Sequence, residues 1–92
     1  MWKQITIALD ETIHPDAPDD ALVHRLRNFG EDLYREFSLS GQANISLEEI
    51  DSATTEIHVL VRGRRHLGGV SAFVTKTLKQ HNLDDLFTVS RG

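Results

Sequence analysis

Cysteine is absent from this 92-residue chain, which excludes thiolate nucleophiles, cysteine-ligated zinc, iron–sulfur clusters and disulfides. Only two prolines and six glycines occur, too few for a low-complexity or disordered polypeptide. No apolar run approaches the roughly 20 residues that span a bilayer. The opening Met1-Trp2-Lys3-Gln4-Ile5-Thr6-Ile7 alternates apolar with polar residues instead of forming the apolar core of a signal peptide. A cytoplasmic protein with no membrane partner is therefore expected. A basic surplus is missing as well: the net charge is −4, and a dedicated nucleic-acid binder usually carries the opposite sign, so nucleic acid is not an expected partner.

What is present suits one globular domain spanning residues 1–92, because a chain this short supports a single core. Ile5, Ile7 and Leu9 alternate with Gln4, Thr6 and Ala8, which predicts a first strand over residues 3–9. Pro15 and Pro18 bias their neighbours away from helix, so residues 10–18 read as a loop. Leu22, Leu26, Phe29, Leu33 and Phe37 follow at steps of four and three, with Val23 and Tyr34 widening the stripe, and predict an amphipathic helix of about five turns. Asp19 and Asp20 suit its positive end, and Arg27/Glu31 and Glu31/Arg35 stand at i,i+4 spacing on its polar face. Ser38-Leu39-Ser40-Gly41 ends it.

Alternation returns from Ala43 through Ile45 to Leu47 as a second strand, then breaks over residues 48–53, where Ile50 follows a bulge or belongs to the connection. The third strand points Ile57, Val59 and Val61 inward. Val70, Phe73, Val74, Thr77, Leu78 and His81 recur at helical spacing, predicting a second helix that starts at Leu67 or Gly69 and closes on a left-handed Asn82. A last strand over residues 86–91 sets Phe87 and Val89 inward and Leu86, Thr88 and Ser90 outward.

The order βαββαβ with right-handed crossovers predicts an α+β, ferredoxin-like two-layer sandwich: a four-stranded antiparallel sheet in the order 4-1-3-2 with two helices on one face. The first and third strands are expected to be neighbours running in the same direction. That arrangement would bring the acidic loop after the first strand and the basic loop after the third to one end of the molecule.

Three groups of residues carry candidate chemistry. Arg62, Arg64, Arg65 and His66 run into Gly68 and Gly69 where a helix opens; forked guanidinia and a helix start both attract anions. The stretch lacks the Lys-Ser/Thr ending of a P-loop and the glycine offsets of a dinucleotide fingerprint. Its competing role is a solvated loop that balances the acidic one. Asp10, Glu11 and His14, with Asp16, offer oxygen and imidazole groups, but without calcium-loop spacing or a helical histidine pair they predict caps and ion pairs and no metal. The third group is the sheet face away from the helices, including Thr6, His58, Leu60 and Thr88.

RNA-binding domains of this topology stack bases on aromatic residues of the two central strands, positions that here hold Thr6 and His58. Acylphosphatases of this size and topology use a glycine-rich loop with an arginine after the first strand and an asparagine on the third. This chain has Asp10-Glu11-Thr12-Ile13-His14 in the first place and no asparagine in residues 57–61, so that chemistry is not expected. No cofactor is implied.

The expected function is a non-enzymatic, self-associating protein-interaction module that binds through its sheet face, an edge or the charged loop end, with a homodimer or another protein as partner. The alternative is a small-anion or phosphate-binding domain using residues 62–69.

Overall fold

The computed structural model describes residues 2–10, 12, 19–48, 50 and 56–91. Along the chain these form β1 (Trp2–Leu9), α1 (Asp20–Ser40), β2 (Ala43–Ile45), β3 (Glu56–Arg62), a 3₁₀ turn (Arg64–His66), α2 (Leu67–Gln80) and β4 (Phe87–Arg91). The fold is α+β: one four-stranded antiparallel sheet in the order β2-β3-β1-β4 and two helices. Among the described residues, no helix is long and apolar enough to cross a membrane.

Period-two alternation decides which face of the sheet is buried. Ile5, Ile7 and Leu9 of β1, Ile57, Val59 and Val61 of β3, Ala43 and Ile45 of β2 and Phe87 of β4 all point into one core. The buried stripe of α1 and the residues Val70, Val74 and Leu78 of α2 complete the same cluster. Phe29, Leu26 and Leu33 have no exposed surface at all, so the apolar stripe of α1 is the largest helical contribution to the core.

Both helix ends are closed by local chemistry. Asp19 caps α1 by accepting from the Leu22 N–H at 2.8 Å, and Gly41, at φ 68°, closes it with an N–H bond to the Phe37 carbonyl. Only a residue tolerant of positive φ fits there. α2 ends in a Schellman arrangement: Asn82 sits at φ 57°, its N–H reaches the Lys79 carbonyl, and the Leu83 N–H reaches the Leu78 carbonyl. Leu83 and Leu78 are both buried beside this turn.

Polar contacts tie α1 to the end of α2. Arg25 donates to the carbonyls of His81 and Asn82, at 3.0 and 2.8 Å. His81 Nε2 lies 2.6 Å from a carboxylate oxygen of Asp32, and its ring packs edge-on to Phe29. The arginines of α1 find other partners: Arg27 donates to the Ile50 carbonyl and Arg35 lies 3.6 Å from Asp32 at i,i+3 on the same helix, and neither makes the i,i+4 pair with Glu31 that spacing alone predicts. Gly30 lets the ends of Ile50 and Leu47 lie close against the helix: a Cβ there would come 2.9 Å from both side-chain ends, which would have to shift.

Three expectations are corrected. β1 and β3 are antiparallel, Ala8 standing opposite Glu56 and Trp2 opposite Arg62. The reason is directional: β2 runs the way β1 does after the helical crossover, and the connection to β3 then reverses the chain. β2 is also only three residues long and does not reach Leu47, and Leu86 packs against the core rather than facing outward. The break in alternation near Glu49 and over residues 51–53 lies outside the described residues.

Asp19→Ala is expected to cost about 1 kcal/mol, lowering Tm by about 4–8 °C. Asp20→Ala, which removes no cap, should change stability by less than about 0.5 kcal/mol. Paired thermal melts check both.

Candidate functional site

The antiparallel pairing separates the two charged loops. Asp10 follows the end of β1 and bonds through its N–H to the Leu86 carbonyl, whereas Arg62 ends β3 beside Trp2. The length of β1 stands between them, on the order of 25 Å at about 3.3 Å per residue. The two loops therefore start at opposite ends of β1, and not at one end as parallel strands would require.

On the acidic side, Asp10 Oδ1 accepts from the Thr12 N–H at 3.0 Å and from the Thr12 hydroxyl at 2.6 Å, a turn-forming role. Glu11, His14 and Asp16 lie outside the described residues. No group of three His, Asp or Glu placed to hold a metal occurs among the described residues.

On the basic side, Gly63 carries the turn at φ 86°, and its N–H bonds to the Val61 carbonyl at 3.0 Å. The Arg62 guanidinium lies over the Trp2 ring, 5.7 Å from its centroid, a cation–π contact on the sheet face away from the helices. Arg64 and Arg65 are exposed on the 3₁₀ turn, and Arg65 Nε donates to His66 Nε2 at 3.2 Å. Two amides at the entrance to α2 are already bonded: the His66 N–H to the Gly63 carbonyl and the Leu67 N–H to the Arg64 carbonyl. Gly68 and Gly69 are exposed, and a Cβ on either would meet nothing within 4 Å, so no close backbone approach demands glycine there. The arrangement offers cationic surface, with one of its arginines already stacked.

The sheet face away from the helices is ordered by register. Thr6 stands between His58 of β3 and Ser90 of β4, Gln4 faces Leu60, and Ala8 faces Thr88. His58 Nε2 lies 3.2 Å from Glu56 on the same strand, and both side chains are substantially exposed, so this pair contributes little to stability. Two apolar side chains break the polar surface: Trp2 is 52% exposed and Leu60 43%. An open groove of about 600 Å³ runs from this face around the β2 edge and is lined by Gln4, Asn44, His58, Leu60 and Leu47, with Tyr34 of α1 on its far wall.

Sequence reasoning missed Trp2 and Tyr34. Extending the alternation of β1 back one step places Trp2 on the face of Gln4 and Thr6; that signal was available. Tyr34, expected to widen the buried stripe of α1, stands at its margin and is instead surface, 49% exposed.

The backbone also has a polarity that side chains hide. In an antiparallel ladder, successive residues direct their N–H and C=O groups to alternate sides of the strand. The Asp10 N–H to Leu86 carbonyl bond fixes the phase between β1 and β4, so Thr88 and Ser90 pair with β1 while Phe87, Val89 and Arg91 direct theirs away from it. The Arg62 N–H to Gln42 carbonyl bond does the same for β3 and β2, so Ala43 and Ile45 direct theirs outward.

Separation of the loops has a measurable consequence. The effects of Asp10→Ala and Arg64→Ala on stability should add to within about 0.3–0.5 kcal/mol in a double-mutant cycle, whereas loops in contact would couple more strongly. No protein-family model, no curated protein and no solved structure matches the chain.

Proposed function

We propose that this chain is a small non-enzymatic protein-interaction module of ferredoxin-like topology whose first partner is another copy of itself. The observation that carries the reading is the sheet surface left uncovered by the helices, on which Trp2 and Leu60 stay exposed beside polar neighbours. Single exposed apolar residues are ordinary, but here they share a face with two outer strands that end the hydrogen-bond ladder. The strand order, the antiparallel pairing and the one core shared by both helices support the ferredoxin-like topology.

Catalysis is less well supported. His58 pairs with an exposed Glu56, His66 with Arg65, and His81 with Asp32 at the junction of the helices. These three histidines are thus engaged on different elements, and none of these pairs includes a hydroxyl nucleophile. A small anion bound at Arg62, Arg64 and Arg65 is the second reading. It is weaker because Arg62 is occupied with Trp2 and two amides at the start of α2 are bonded within the turn.

Light scattering on size-separated protein, from dilute to concentrated solution, tests the proposal. The mass should rise from that of one chain, 10.4 kDa, toward twice that value. A constant one-chain mass contradicts self-association. For the second reading, phosphate should raise Tm no more than chloride at equal ionic strength; a larger rise that Arg64→Ala and Arg65→Ala abolish would favour the anion site instead.

A further inference from the structure

Of the two outer strands, one is blunted and one is not. β2 offers only three residues, and its outward Ile45 N–H is already taken by the side-chain oxygen of Asn44 at 2.9 Å. β4 offers five residues, Phe-Thr-Val-Ser-Arg, with neither the lysine nor the proline that commonly protects an edge. Its phase directs the N–H and C=O groups of Val89 and Arg91 and the Phe87 carbonyl away from β1; the Phe87 N–H alone turns back, to the Leu83 carbonyl at 3.1 Å. Among the described residues, no strand pairs with this side of β4.

Resting on the self-association proposed above, we infer that β4 is the dimer edge: two copies pair β4 with β4 in antiparallel fashion about a two-fold axis at Val89. The pattern is self-complementary. With Val89 opposite Val89 of the second copy, each Val89 N–H meets the other's carbonyl and each Arg91 N–H meets the Phe87 carbonyl across the axis. Thr88 then falls opposite Ser90, a neutral pair suited to cross-strand contact. Charge agrees as well. β4 carries Arg91 at its end, and exposed Asp84 and Asp85 precede its start, so antiparallel pairing brings the guanidinium of each copy toward the acidic turn of the other. Parallel pairing would instead stack Arg91 on Arg91. The two sheets become one, and their uncovered faces form a single surface.

A proline at position 89 tests this selectively. It removes an N–H that the β1–β4 ladder does not use and places proline on an edge strand, where it is tolerated. Sedimentation equilibrium should show Val89→Pro weakening the dimer at least about tenfold, with circular dichroism confirming the fold. Arg91→Glu, an exposed change, should weaken it several-fold, and adding Asp85→Lys to Arg91→Glu should restore most of the loss. A wild-type dimer whose affinity neither Val89→Pro nor Arg91→Glu changes overturns the edge assignment and leaves self-association standing through another surface. If Val89→Pro does not fold, the charge-swap pair decides alone. A wild-type protein that stays monomeric overturns both.

Discussion

The register of β1 against its two neighbours governs the rest of this molecule. β1 is a central strand, and its pairing with β3 and β4 sets three things at once. It sends Ile5, Ile7 and Leu9 to the helices and Trp2, Gln4 and Thr6 to the uncovered face. It puts Asp10 and Arg62, where the acidic and basic loops begin, at opposite ends of β1. And it decides which backbone groups of the outer strand β4 are consumed inside the sheet and which look outward. A slip of one residue would invert the first and the last of these, because side-chain and backbone direction both alternate with a period of two.

Energetically the register is held by the core, not by the charges. The side chains with no exposed surface come from β1, β3, both helices and, as Leu83, the turn after α2, and burying each is worth about 1.5–3 kcal/mol. The polar links are fewer and more local. Arg25 and His81 fasten α1 to the end of α2, and Arg27 holds the Ile50 carbonyl against α1. The uncovered face contributes little to folding, since His58 and Glu56 are solvated and Trp2 engages only Arg62 among the contacts of that face. A surface under so little folding constraint is available for binding.

The helices and inward strand positions were legible in the sequence because period and caps are local signals. Phe37 to Gly41, and Asn82 after α2, announce helix ends by residue type alone, and the structure places positive-φ residues, Gly41 and Asn82, at those two ends. Strand direction was not legible from alternation, which is the same for parallel and antiparallel neighbours; it follows only when the reversal between β2 and β3 is traced. The short β2 escaped for a similar reason: Leu47 keeps the alternation of a strand while packing against α1 near Gly30. Arg62, expected in an anion site, is drawn instead to Trp2, a contact between residues sixty positions apart that no local spacing displays. The outward polarity of Val89 is a property of pairing phase, and it became readable only once the Asp10 to Leu86 bond was known.

Amide hydrogen exchange along β4, measured in solution dilute enough to hold single chains, tests this register most directly. The amides of Thr88 and Ser90, bonded to β1, should exchange slowly and that of Val89 fast. Slow exchange at Val89 with fast exchange at Thr88 would mean that the strand is shifted by one residue, and the face that β4 presents and its outward edge would both have to be redrawn.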